Sequence, residues 1–417
     1  MIAKLMIGSM QNAKKLVSIA EKIPYDTELC CERYIVNAKS MLGVLSLPDF
    51  ETAELNVHTD NDNECKKILE ALRKNGLLEE EEDSVRPSLF DITTFGEILI
   101  DFTSEGVNKD GRTLFAQNPG GAPANVAVAA QRLGAHTAFL GKAGHDMHGD
   151  FLRSVLKQEN VDTTGMVLDK NCFTTLAFVN IAENGERTFS FARKPGADTR
   201  IQKEEIDIDV LDYTNIFHVG SLSLTDQPAR DTTFYAVKRA KAKGSIISYD
   251  PNYRASLWKS ERIAMDHMRS MVPYVDIMKI SDEETELLTD RKEPEEAAKI
   301  LYKRGVSIIA VTLGSEGAYI YCREGGRKVA GFPCRAVDTT GAGDAFWGGF
   351  LYKINQSGKC PDEMDLDELE EYTRFANAVA SLCVEKKGAI PAMPGLRQVE
   401  ERMAAFCGNT VLVDEYI

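Results

Sequence analysis

From residue 91 onward, short apolar runs alternate with longer stretches in which apolar side chains recur every three or four positions. The runs 94–102, 136–140, 215–219, 245–250, 275–280 and 307–312 read as strands, and 124–133, 149–159, 228–243, 260–271 and 295–304 as helices. Gly134, Gly244 and Gly305 stand where three of these helices stop, because glycine accepts the left-handed conformation that closes a helix. Such alternation predicts an α/β protein with a doubly wound, mainly parallel sheet. One stretch departs from it. The runs 174–181 and 187–193 are both strand-like and are joined through Asn184-Gly185, a strong hairpin-turn pair, which predicts a small β lid.

Residues 1–78 follow another rhythm: a strand, a helix over 13–21, a strand over 28–36, a short helix over 41–47, a strand over 54–59 and a helix over 64–74. That order, β-α-β-α-β-α, predicts a small α+β open-faced sandwich. Between the two parts, Glu79-Glu80-Glu81-Glu82-Asp83 is followed by Ser84-Val85-Arg86-Pro87-Ser88, and self-repelling charge followed by a proline makes a solvated linker. The expected division is a domain over 1–78, an acidic linker over 79–90 and a large domain over 91–417.

Composition narrows the function. A chain of 417 residues with 43% hydrophobic and 27% charged residues can bury a sizeable core. Its 64 acidic against 49 basic residues give a formal charge of −15, which offers no basic field for nucleic acid. The nine cysteines are scattered without a CxxC pair, as expected of a reducing compartment. Lys4 and Ser9 interrupt the first apolar stretch and no 18 apolar residues run together, so we expect a cytoplasmic protein that is neither exported nor membrane-spanning.

The most informative string is Asp338-Thr339-Thr340-Gly341-Ala342-Gly343-Asp344-Ala345-Phe346, leading into a helical run. Small residues at a helix entry let free N–H groups converge on an anion, and the positive helix end favours a phosphate there. Asp344, in the first turn, is placed to take a proton from an attacking hydroxyl. By itself the string also fits a glycine-rich helix cap. Near the front, Asn118-Pro119-Gly120-Gly121-Ala122-Pro123-Ala124-Asn125 opens another helix. Its glycines admit close backbone approach, and Asn125 offers both a donor and an acceptor to a polyhydroxylated ligand; a tight turn into a buried helix fits equally. His145 and His148 lack a third metal ligand at a recognisable spacing and read as a solvated helix entry.

Together these two strings resemble the signature regions of the ribokinase-like (PfkB) carbohydrate kinases, and the likeness extends over about 91–393. Within that family the chain is most similar to bacterial fructokinases, through Gly96-Glu97-Ile98-Leu99-Ile100-Asp101, Asp250-Pro251-Asn252-Tyr253-Arg254, Lys279-Ile280-Ser281-Asp282-Glu283-Glu284 and Val311-Thr312-Leu313-Gly314-Ser315-Glu316-Gly317. The resemblance implies that Asp344 is the general base, with the N–H groups from Gly341 through Ala342 and Gly343 to Asp344 as the anion hole for the γ-phosphoryl group. It implies that Asp101, Gly121 and Asn125 hold sugar hydroxyls and that Arg193, at the base of the lid, closes over the sugar. For ATP it implies Lys279, Ser281, Thr312, Gly314, Gly317, Gly343 and, near the adenine, Asn377 on a helix over 372–386. Ser281 stands where asparagine is more usual in the wider family. Glu284 would orient Mg²⁺ through water; without the family, Asp282, Glu283, Glu284 and Glu286 read as an acidic first helical turn. Asp338 and Thr340 match positions whose oxygens, mostly of the backbone, bind a monovalent cation such as K⁺ in some relatives.

The string Val36-Asn37-Ala38-Lys39-Ser40-Met41-Leu42-Gly43-Val44-Leu45-Ser46-Leu47 resembles the central region of the histidine-containing phosphocarrier protein of the sugar phosphotransferase system. The family's phosphorylated histidine would fall on Ser9, with Gln11 and Asn12 behind it, so that domain is expected to have lost the relay chemistry and to serve as a scaffold or regulatory remnant. Ser40 matches the family's regulatory serine and also reads as an ordinary helix N-cap.

The expected activity is ATP-dependent phosphorylation of the primary hydroxyl of a ketohexose, fructose to fructose 6-phosphate, by a homodimer. The alternatives are a 2-keto-3-deoxygluconate-type sugar acid kinase, which would use Arg193 and Arg254 to grip a carboxylate, and a non-catalytic sugar sensor. The phosphocarrier-like part suggests contact with a phosphotransferase-system protein.

Overall fold

The computed structural model describes residues 2–6, 10–31, 34–47, 52–59, 61–75, 77–78, 89–181 and 187–410. Ser9, most of the acidic linker and the Asn184-Gly185 turn lie outside these residues. The chain divides into two compact units, Met1–Arg86 and Pro87–Ile417. Among the described residues no helix is long and apolar enough to cross a membrane, and the described cysteines are free thiols.

In the first unit, strands β1 (Ile2–Met6), β2 (Thr27–Cys31), β3 (Tyr34–Asn37) and β4 (Thr52–Val57) form an antiparallel sheet in the order β1-β4-β2-β3. Helices α1 (Met10–Ala20), α2 (Met41–Leu45) and α3 (Asp62–Lys74) accompany it. Alternate residues of β2 are buried, Cys31 inward and Cys30 less so, as a sheet covered on one face requires. Leu5, Leu16, Leu29, Leu55 and Leu72 form the core. The single strand expected over 28–36 is an antiparallel hairpin, so the order is β-α-β-β-α-β-α. Ser40 caps α2, its hydroxyl accepting from the Gly43 N–H at 3.1 Å.

The second unit is built on a nine-stranded sheet. Its strands are β5 (Phe90–Gly96), β8 (Thr137–Gly144), β9 (Met166–Asp169), β12 (Thr214–Gly220), β13 (Ile246–Asp250), β14 (Ile277–Ser281), β15 (Ile308–Thr312), β16 (Ala318–Cys322) and β17 (Gly325–Val329). Their order is β17-β16-β15-β14-β13-β12-β5-β8-β9, parallel except for β16, which runs antiparallel to both β15 and β17. The central strands are nearly continuous buried runs, as they must be with helices on both faces. Helices α4 (Ala122–Leu133), α5 (Met147–Gln158), α6 (Ile208–Asp212), α7 (Ala229–Ala242), α8 (Glu261–Met271), α9 (Thr285–Thr289), α10 (Pro294–Lys303), α11 (Ala342–Ser357), α12 (Leu366–Cys383) and α13 (Leu396–Thr410) complete the unit. Two apolar clusters, one around Phe139, Trp347 and Phe350 and one around Phe95, Phe217 and Tyr249, make up the core.

The remaining strands form the lid, a four-stranded sheet β11-β10-β6-β7 of β6 (Leu99–Val107), β7 (Thr113–Gly120), β10 (Leu176–Ile181) and β11 (Arg187–Ala192). The run 94–102, read as one strand, therefore breaks at Glu97-Ile98 and serves two sheets. Gly96 turns the chain there at φ +152°, where a Cβ would strike Pro123 at 2.7 Å. The second half of the lid was missed because β6 and β7 expose much of their length, so no sustained apolar run marks them. Their tight turn is visible in retrospect: the Asn108 carboxamide oxygen accepts from the N–H groups of Asp110 and Arg112 at 3.0 and 2.9 Å, with Gly111 at φ +77°. The helix expected over 372–386 begins earlier, because Asp365 and Glu368 form a capping box at its start.

Candidate active site

The C-terminal ends of the parallel strands are where a doubly wound sheet places its chemistry. Here β5 leads to Glu97, β13 ends on Asp250, β14 carries Lys279 and Ser281, and β15 ends on Thr312. Over this edge stands the start of α11.

Gly341 caps α11 at φ +78°, and a Cβ there would lie 2.7 Å from that of Ala389. Asp344 sits in the first helical turn, 8% exposed, and accepts a hydrogen bond from Asn125 Nδ2 at 2.7 Å. Helices α4 and α11, more than two hundred residues apart in sequence, thus bring the two signature strings together. Burial pushes the Asp344 pKa up to about 6, assisted by the nearby Asp250 and opposed by the Asn125 hydrogen bond, Lys279 and Arg254. A carboxylic acid tuned in this way accepts a proton near neutral pH.

Asp101 lies on β6, opposite Asn118 on β7. A side chain on Gly120 would overlap its Oδ2 at 2.2 Å, so that glycine is the space the carboxylate occupies. Burial holds Asp101 at about 6 as well, against the pull of Arg254 and with the repulsion of Asp344 and Asp338. Gly121 caps α4 at φ +110°, with a Cβ excluded by the Glu97 carbonyl at 2.5 Å. Asn125 Oδ1 is buried and has no partner in the protein, as expected of an acceptor kept for a ligand hydroxyl. Arg254 is exposed but its charge acts on both Asp101 and Asp344.

Lys279 is buried in an ion pair with Asp250 at 2.7 Å. Its Nζ lies 3.0 Å from where a Gly343 Cβ would be, so the ammonium adjoins the α11 entrance. Burial alone would lower its pKa, but Asp250 and Glu284 outweigh that and raise it, so the cation persists. Behind the pair, His218 is pushed down to about 3 by burial and by Lys279, and stays neutral while bonded to Ser248 Oγ at 2.9 Å. Asp250 is the residue that sequence reasoning left outside the site, although it stands in the Asp250-Pro251-Asn252-Tyr253-Arg254 string; an acid closing an apolar strand was the available signal.

Two expected contacts, those of Arg193 and Asn377, differ in the structure. Arg193 follows β11 rather than lying on the lid, and its guanidinium is bound to Asp198 at 2.6 Å, to Thr225 Oγ1 at 2.9 Å and to the Leu222 carbonyl at 2.8 Å. Those partners occupy the donors that were to reach the sugar. Asn377 is buried, and its amide donates to the Val329 and Ala330 carbonyls at 3.2 and 3.1 Å, so its N–H groups brace β17 instead of facing a nucleotide. Asp338 accepts from Thr340 and from the Gly388 N–H at 2.9 Å, tying together the two loops below α11.

Glu284 takes one backbone N–H on each oxygen, from Tyr253 at 2.6 Å and Ser281 at 2.8 Å. Ser281 pairs with Thr312 across β14 and β15, and Gly314 and Gly317 follow at φ +58° and +99°. Around Gly314 a side chain would meet open space, whereas at Gly317 it would strike the Val329 carbonyl at 2.1 Å. Among the described residues no cluster of three His, Cys, Asp or Glu suits a protein-held metal, His145 and His148 included.

A buried acid at a helix entry, a second acid on a lid strand and a buried cation beside the same helix make an arrangement suited to taking a proton from a hydroxyl next to a phosphate. The chain belongs to the pfkB family of carbohydrate kinases, whose profile matches residues 90–395. It is 41% identical over 307 residues to Probable fructokinase-5 of Arabidopsis thaliana, covering 73% of this chain and 94% of that protein. It is similar to the crystal structure of fructokinase with bound ATP from Xylella fastidiosa, with TM-score 0.71, 34% identity, and 76% and 99% of the two chains covered. A double mutant of the Vibrio cholerae fructokinase, solved with fructose, ADP and potassium ion, aligns with TM-score 0.68 and 31% identity over 76% of this chain and 99% of that one.

Proposed function

We propose that this enzyme transfers the γ-phosphoryl group of ATP to the primary hydroxyl of fructose, giving fructose 6-phosphate. The observation that carries the reading is the Asn125–Asp344 contact at 2.7 Å, which joins a polyol-binding helix to a proton acceptor at a phosphate-binding helix entry. Asp344 takes the hydroxyl proton as the oxygen attacks. The N–H groups of Gly341 to Asp344 and the Lys279 ammonium hold the charge that develops on the transferred group. Asp101, Gly121 and the open acceptor of Asn125 orient the sugar, so positioning supplies much of the rate.

Mg²⁺ carried in by the nucleotide would be oriented through water by Glu284, whose two oxygens each accept one backbone N–H, and would take the phosphates as its other partners. When bound it neutralises charge on the β- and γ-phosphates. Asp338 is committed to Thr340 and Gly388, so a K⁺ ion here would rest on main-chain oxygens. The burial of Arg193 against Asp198 removes one of the two arginines that a sugar acid kinase needed, and Asp344 beside the Lys279 pair has no use in a pure sensor. Measuring ATP turnover against a panel of ketoses, aldoses and 2-keto-3-deoxy acids tests the assignment: fructose should give the highest kcat/KM, and turnover confined to a keto acid would overturn it.

The partner is a second copy of this chain, docked lid to lid. Phe178 stacks on Phe102 at 5.3 Å, Phe115 meets it edge-on at 6.0 Å, and Phe115 is 45% exposed beside the unpaired edge of β7. Light scattering at micromolar concentration should give twice the 46.1 kDa chain mass, and Phe115→Asp should halve it.

The first unit is a phosphocarrier-like scaffold in a cytoplasmic enzyme. Leu42 and Leu45, exposed on α2 after Ser40, offer the apolar contact that a phosphotransferase-system protein would use. Incubation with that system's first enzyme and phosphoenolpyruvate should leave no acid-labile phosphate on residues 1–78, since an imidazole is absent at Ser9.

A further inference from the structure

The two lid hairpins cross into the body at four places: residues 97–98, Gly121, residues 173–175 and Arg193. Two buried hydrogen-bonded groups, one around Arg193 and one at Glu97, together touch all four. Arg193, 7% exposed, donates from Nε to Asp198 Oδ2 at 2.8 Å, and Asp198 accepts on its other oxygen from Thr175 Oγ1 at 2.5 Å. The same guanidinium grips the body at Thr225 and the Leu222 carbonyl. Glu97, 2% exposed, accepts from the Ala122 N–H at 3.2 Å, next to the Gly121 cap, while its Oε2 is buried and has no partner in the protein. Its charge and that of Arg193 act on each other. Even the space is prepared, because a Cβ on Gly196 would overlap Thr175, Asp198 and Arg193 together.

We propose that Glu97, Arg193, Asp198 and Thr175 form one hinge hub that fixes the lid angle and the Gly121 loop together, making them positioning residues for the sugar. Buried charges with single alternatives for pairing are costly to displace, and hinge positions remote from the reacting atoms set how a lid completes a site. Arg193 therefore serves the sugar without touching it. The sugar part of this inference rests on the fructokinase reading.

The test uses full-length Asp198→Asn and Glu97→Gln, with both KM values and amide hydrogen exchange measured on each. KM for fructose should rise about tenfold or more while KM for ATP stays within about twofold, and exchange should quicken in β10 and residues 120–125 but not in β14. A hub that only holds the fold together would lower the active fraction and leave the fructose KM in place; that result, or unchanged exchange, overturns the proposal. Thr175→Val removes one hydroxyl and keeps the test readable should Asp198→Asn fail to fold: a smaller shift in the same direction supports the hub, none overturns it. Failure of the wild type to phosphorylate any sugar would instead strike the functional reading, with exchange still deciding the hub.

Discussion

Asp344→Asn should lower kcat by about 10²-fold or more, the usual share of a general base and ~3 kcal/mol of barrier, with little change in KM for ATP. The amide keeps the volume and can still accept from Asn125, so the loss isolates the proton transfer. In the wild type, kcat/KM for fructose should fall as pH drops through about 6, because Asp344 must be ionised to act and burial holds its pKa there. Asp101 lies near the same value, so the acid limb belongs to the pair and should be steeper than a single titration. The same burial has a stability cost of opposite direction. A carboxyl whose pKa is raised by folding favours the native state below about pH 4, and that contribution is lost as pH climbs to about 6. The two units between its usual 3.8 and about 6 correspond to roughly 3 kcal/mol at pH 7 to 8. The Asn variant does not titrate, so its Tm should exceed the wild type's at pH 8 and converge on it near pH 4. Retention of more than about a third of wild-type kcat would remove Asp344 from the base role.

What the sequence could disclose follows from what leaves a local mark. Buried parallel strands are continuous apolar runs, and helices ended by Gly134, Gly244 or Gly305 announce their stops, so the sheet was legible. The lid was half legible: β10 and β11 lie in strand-like runs joined through the turn pair Asn184-Gly185, whereas β6 and β7 face solvent along much of their length and leave no such pattern. Asp344 and Asn125 were legible because glycine clusters at helix entries are chemically conspicuous. Side-chain commitments were not. Arg193 and Asn377 sit where the resemblance put them in sequence, but whether a guanidinium or an amide meets a ligand or a neighbour depends on Asp198, Thr225 and the Val329 carbonyl, whose approach is set only by the folded chain. For the same reason Asp250 went unread: its importance lies in the 2.7 Å contact with Lys279 from the adjacent strand.

That contact carries the second large effect. Lys279→Met should lower kcat by roughly 10²–10³-fold, the scale seen when one charge-stabilising donor is removed from a transition state, and should leave KM for fructose nearly unchanged. It should also destabilise the second unit by about 3–5 kcal/mol, since it strands a buried Asp250 without its partner. Stability and catalysis can be separated by a second substitution. Asp250→Asn in the Lys279→Met background removes the orphaned charge, so denaturant unfolding should recover most of the lost stability. The rate should not recover, because the cation beside the α11 entrance is still missing and nothing replaces it opposite the transferred phosphoryl group. Asp250→Asn alone should be milder in rate: Lys279 keeps its place near Gly343 and the nearby Glu284 and Asp344 charges, though with less to hold its angle. If the double variant regains kcat along with stability, the pair is only a structural clamp at the strand ends, and the charge that faces the phosphate must be supplied by the helix and the metal alone.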